Sequence, residues 1–129
     1  MNTNIYILLT FIVLNLYIVK TSYSDDIEKD KIISNCLKNA DYLEKYSNGT
    51  SFKDLDVKSS LKTCNEAYKK FPESIPVIRA LSRANYKDKN YKEAFILYKL
   101  ASDQGDALSQ LNLGYMYSEG QGVKQDFKK

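Results

Sequence analysis

Two stretches of this chain repeat one spacing at a distance of 34 residues. Ser60, Cys64 and Ala67 correspond to Ala94, Tyr98 and Ala101. Each set places a small residue, a larger one four positions on, and a second small one three beyond that. On a helix these positions share one face. The small side chains let two helices approach closely, and the larger one fills the space beside them. A helix pair of this length cannot bury its apolar face alone, so such units must stack on their neighbours. The spacing therefore points to an all-α fold, an antiparallel helix-pair α-solenoid.

Apolar periodicity supports five helical segments. Ile32, Ile33, Cys36, Leu37, Ala40, Leu43 and Tyr46 form one stripe, predicting a helix over 25–46 that ends at the Ser47-Asn48-Gly49-Thr50 turn. Asn48-Gly49-Thr50 is also a glycosylation sequon. Val57, Leu61, Cys64, Ala67, Tyr68 and Phe71 predict a second helix over 54–71, stopped by Pro72, which lacks the N–H a helix needs. Ser74 is placed to cap a third helix over 76–86. A fourth is expected over 91–104, ended by Gly105, and a fifth over 107–117, capped by Asp106. No stretch alternates with period two for long enough to make a strand.

The N-terminus is of another kind. Ile5 to Val19 is apolar except for Thr10 and Asn15, and Lys20 ends the run. Ser22-Tyr23-Ser24 then offers a small-x-small site ahead of Asp25-Asp26. This is the form of a secretory signal, and the run is short for a membrane span of about 20 residues. Residues 1–4 carry no basic side chain, so an uncleaved anchor is the second reading. Export bears on Cys36 and Cys64, the only cysteines, since disulfides persist in oxidising compartments. Their pairing would close a loop worth about 3 kcal/mol; two buried free thiols are the other reading. With no C-x2-C spacing, a metal site is not expected.

Composition narrows the chemistry. The chain is 43% hydrophobic and 27% charged, which suits a folded domain rather than a disordered tail. A formal net charge of +3, with Lys interspersed among Asp and Glu, leaves no nucleic-acid footprint. There is no His, so the commonest general base and metal ligand are missing. No phosphate loop, metal cluster or nucleophile triad is present, and no cofactor is expected. Ser59-Ser60-Leu61-Lys62 matches the Ser-x-x-Lys of serine acylases, but the companion Ser-Asp-Asn and Lys-Thr-Gly elements are absent.

From Tyr91 to Asp126 the spacing becomes specific. Ala94, Tyr98 and Ala101 precede Gly105; Ala107, Gln110, Asn112, Leu113, Gly114, Met116 and Tyr117 follow; then come Gly120, Gly122, Val123 and Asp126. In this order the stretch resembles the Sel-1-like repeat, a tetratricopeptide-related family, with Ser102 where a second Ala is usual. A looser tetratricopeptide likeness reaches back to Ser60 through Ala67, Pro72 and Leu81. In that pattern Gly114 lets the fifth helix pack closely, Gly120 and Gly122 take positive φ, and Asp126 caps a further helix.

The organisation that follows is a signal peptide over 1–24, a non-repeat helical lead over 25–59, and a repeat region over 60–129 whose last repeat is incomplete. An open repeat edge would favour self-association. The resemblance implies an exported, periplasmic or secreted scaffold that binds a protein or peptide through its concave face. Hairpin geometry puts Arg79, Arg83 and Tyr86 of the third helix there, with Tyr115 of the fifth. Two Arg on one face would suit an acidic or C-terminal carboxylate ligand. The competing functions are a penicillin-interacting serine enzyme of the cysteine-rich repeat kind and a truncated fragment without function of its own.

Overall fold

A computed structural model describes residues 3–40 and 52–124. Among these residues there are five helices and no strand: α1 (Thr3–Ala40), α2 (Val57–Lys70), α3 (Ile75–Lys87), α4 (Tyr91–Asp103) and α5 (Ala107–Glu119). The chain forms two compact units, Met1–Lys31 and Ile32–Lys129.

The first unit is the apolar part of α1. Every large apolar side chain from Ile5 to Val19 is exposed, and the helix is long and apolar enough to cross a membrane. Its two polar interruptions are satisfied within the helix: Thr10 Oγ1 donates to the Ile7 carbonyl and Asn15 Nδ2 to the Phe11 carbonyl, both at 2.8 Å. Such back-bonding is what an apolar solvent demands of polar side chains. No helix start appears at Asp25, because α1 runs unbroken through Ser22-Tyr23-Ser24. The expected end of that helix, the Ser47–Thr50 turn with its sequon, and Asp126 lie outside the described residues.

In the second unit the helices pack in chain order, α2 on α3, α3 on α4 and α4 on α5. The helix starts follow from their caps. Asp56 accepts hydrogen bonds from the Lys58 and Ser59 amides, so α2 begins later than the expected Asp54. Ser74 occupies the N-cap position of α3 but makes no side-chain cap bond; Pro76 in the first turn, where a missing N–H costs nothing, supports the start instead. Asp106 caps α5 through the Ser109 amide at 2.9 Å.

The repeated spacing is the core. Ser60, Cys64, Ala67, Ala94, Tyr98 and Ala101 are all buried. Helix α3 is buried at every position from Val77 to Asn85, as befits an element enclosed by neighbours on both sides. Complete burial of side chains such as Leu37 and Ile78 contributes about 1.5–3 kcal/mol each. Cys36 and Cys64 are joined in a disulfide and fully buried, tying α1 to α2. Beside it, Ser60 Oγ donates to the Asn39 carbonyl at 2.9 Å.

The glycines divide into three cases. Gly105 and Gly120 have φ of +90° and +64° and end α4 and α5 in the left-handed region. Gly122, at φ +71°, lies where a Cβ would fall 2.3 Å from the Tyr91 carbonyl oxygen, so the loop after α5 touches the start of α4. Gly114 departs from its expected role. A Cβ there would meet nothing within 4 Å, so no neighbouring helix requires a glycine at this position.

Candidate functional site

Helices α3, α4 and α5 converge on a cavity of about 360 Å³. It is lined by Phe52, Arg83, Tyr86, Tyr98, Asn112 and Tyr115. Arg83 and Tyr86 are three apart on α3, and Asn112 and Tyr115 three apart on α5, so each pair lies on one helical face. Tyr98 is the buried large residue of the repeated spacing on α4. Phe52 comes from the segment just before α2.

Tyr86 sits at the middle of an aromatic row. Its ring centroid is 5.8 Å from Phe52, 5.3 Å from Tyr91 and 6.5 Å from Tyr115, with tilted or edge-on planes. Such arrangements suit the ring quadrupoles. The Tyr86 hydroxyl donates to Gln121 Oε1 at 2.7 Å, holding the loop after α5 against α3. Burial raises the Tyr86 phenol above its usual range, opposed by the Gln121 hydrogen bond. The outer two rings stay in solvent, Phe52 at 40% and Tyr115 at 54% exposure.

Two cations stand against Phe52. The Arg83 guanidinium carbon is 5.7 Å and Lys87 Nζ 4.7 Å from its ring centroid. Lys87 Nζ also donates to the Phe52 carbonyl at 2.7 Å. Arg83 Nη1 donates to the Ala40 carbonyl at 2.7 Å, joining α3 to α1.

Of the four residues expected on the concave face, Arg83, Tyr86 and Tyr115 meet at this cavity and Arg79 does not. Arg79 is 6% exposed and forms an ion pair with Asp106, the N-cap of α5. Its guanidinium serves to dock α3 on α5, and the pair of solvent-facing arginines suggested by the sequence is not formed. Of the tyrosines in the repeat pattern, Tyr98 is core and Tyr117 packs edge-on against Phe95 at 5.3 Å, while Tyr115 is on the surface. Phe52 and Asn112 escape sequence reasoning as site residues, because Phe52 belongs to an irregular segment with no periodicity. Ser59 and Lys62 lie on α2, and neither lines the cavity.

Residues 83–106 and 107–129 each match the model of the Sel1 repeat. The chain carries two Sel1 repeats. Together they extend the stretch recognised by its motif at both ends, starting inside α3. The boundary between them falls at the N-cap of α5, between Asp106 and Ala107. The cavity is thus an inter-repeat site: Arg83, Tyr86 and Tyr98 come from the first Sel1 repeat, Asn112 and Tyr115 from the second. Sel1 repeats are protein-interaction scaffolds and generally not enzymes. No solved structure matches the chain.

Proposed function

We propose that this chain is an exported scaffold that holds a protein or peptide partner at the cavity between its two Sel1 repeats. The observation that carries the reading is convergence: residues from both repeats and from the preceding segment line one cavity, with two exposed aromatic rings at its edge. Exposed aromatics over a partly polar floor are the composition of binding hot spots. Export is supported by the apolar N-terminal helix and by the disulfide, which an oxidising compartment preserves.

A photo-crosslinking amino acid at Tyr115, introduced in the native host, tests the site, with the same group at Glu66 on the exposed side of α2 as control. A discrete adduct at position 115 and none at 66 is the expected result. Equal labelling at both positions would remove the basis for placing the partner at the cavity. Thiol-alkylation shifts before and after reductant, on cell fractions, check export: the exported chain carries no alkylatable thiol until reduced.

A further inference from the structure

The shape and chemistry of the cavity restrict what it can hold. At about 360 Å³ it lies at the small end of ligand sites, and a helix about 10–12 Å across does not enter it. An extended chain offering one or two side chains does. Cationic ligands are disfavoured, since Arg83 and Lys87 already stand against the Phe52 ring. A paired-arginine receptor for a carboxylate is not built either. Arg79 is engaged by Asp106, and Arg83 Nη1 by the Ala40 carbonyl.

What the cavity offers is flat rings and neutral hydrogen-bonding groups. Phe52, Tyr86 and Tyr115 stand in a row at successive spacings of 5.8 and 6.5 Å. Rings at such distances touch one another, so a ligand packs on their solvent-facing sides, with one flat apolar ring or branched side chain over Phe52 and another over Tyr115. Asn112 Nδ2 donates one hydrogen to the Leu108 carbonyl and retains a second. The exposed Tyr115 hydroxyl adds a further donor or acceptor. These groups match the carbonyls of an extended chain, which are fully available in the polyproline II conformation. Proline brings no N–H that would need an acceptor on the cavity floor, and its chain is already extended before binding, which lowers the entropy cost of docking.

We infer that the inter-repeat cavity takes an extended, proline-containing peptide segment, whose rings pack on the exposed sides of Phe52 and Tyr115. This rests on the reading of the cavity as the partner site. The test titrates three labelled peptides onto the full chain in mild detergent by fluorescence anisotropy. One is end-blocked, uncharged and proline-rich; the second replaces each proline with alanine; the third is acidic with a free carboxyl terminus. The proline peptide should bind and its alanine counterpart should not. Tyr115→Ala and Phe52→Ala, both at exposed rings, should weaken binding by about tenfold or more. Tyr115→Phe, which keeps the ring, should retain most of it, and Glu66→Ala should change nothing. Helical melts of each variant verify that the fold is intact. Binding of the acidic peptide in preference to the proline peptide overturns the assignment of ligand class. Binding of none of the three overturns it as well. The Tyr115 crosslink then separates the two layers: an adduct keeps the cavity as the docking site with another ligand, and its absence removes both.

Discussion

Breaking the contact between Arg79 and Asp106 should have opposite severity depending on which partner is changed. Both side chains are almost fully buried, at 7% and 11% exposure. Asp106 also accepts from the Ser109 amide at 2.9 Å and from Ser109 Oγ at 2.7 Å. Removing the arginine by Arg79→Met keeps the stem volume and leaves Asp106 with those two bonds and partial access to water. The loss is about 1 kcal/mol, that of one charge-assisted hydrogen bond offset by an easier burial. Asp106→Asn keeps the cap, since the amide oxygen still accepts, but removes the carboxylate charge beside the buried guanidinium. That change should cost about 3 kcal/mol, within the range for a broken buried pair. The double variant should fall close to Arg79→Met alone, because neither charge of the pair remains, giving a coupling of about 3 kcal/mol. Urea unfolding of residues 25–129, followed by far-UV circular dichroism, measures this, with the slope unchanged and only the midpoint moved. A costlier Arg79→Met than Asp106→Asn, or a coupling near zero, would refute the asymmetry. The same cycle warns that loss of a partner in an Arg79 variant would report on the α3–α5 contact and not on recognition.

The glycines give a paired expectation. Gly122→Ala forces a Cβ onto the Tyr91 carbonyl at positive φ and should cost about 1–3 kcal/mol, while Gly114→Ala, with open space and helical backbone, should be neutral or gain up to about 1 kcal/mol in the same unfolding assay. Reduction of Cys36–Cys64, which spans 28 residues, should lower stability by about 3 kcal/mol, read as a lower melting temperature with reductant present. The raised phenol of Tyr86 means that the unfolded chain ionises first as pH rises. Its contribution is therefore full below about pH 10 and declines above it, and Tyr86→Phe should flatten that decline in pH-dependent melts.

The stacked fold was legible because its signals are local. Ser60, Cys64 and Ala67 against Ala94, Tyr98 and Ala101 reveal the packing faces, and Asp106, Gly105 and Gly120 mark helix ends through backbone chemistry that a sequence displays openly. Arg83, Tyr86 and Tyr115 were legible as a site because helical spacing sets their faces. Arg79 was not, since its partner lies 27 residues away and only the stack brings Asp106 beneath it. Gly114 misled for a related reason: a repeat motif records a small residue without saying what space it faces. Phe52 lies in an irregular segment, where no period announces a side chain's direction. The start of α2 shifted from Asp54 to Asp56 because both residues are competent caps and only the observed amide bonds distinguish them.

The order of helix packing also sets how this protein acquires its structure in time. Each of α2, α3 and α4 packs on the next helix in the chain, so the loops that must close are short. Chains with such local contacts fold in microseconds to milliseconds. Thiol oxidation is far slower, taking seconds to hours with the available oxidant or isomerase. A folded but reduced species should therefore precede the mature one, with both cysteine sulfurs already enclosed. Oxidation of that species waits on transient opening between α1 and α2, so the rate of disulfide formation becomes a clock for how often the N-terminal edge of the stack breathes.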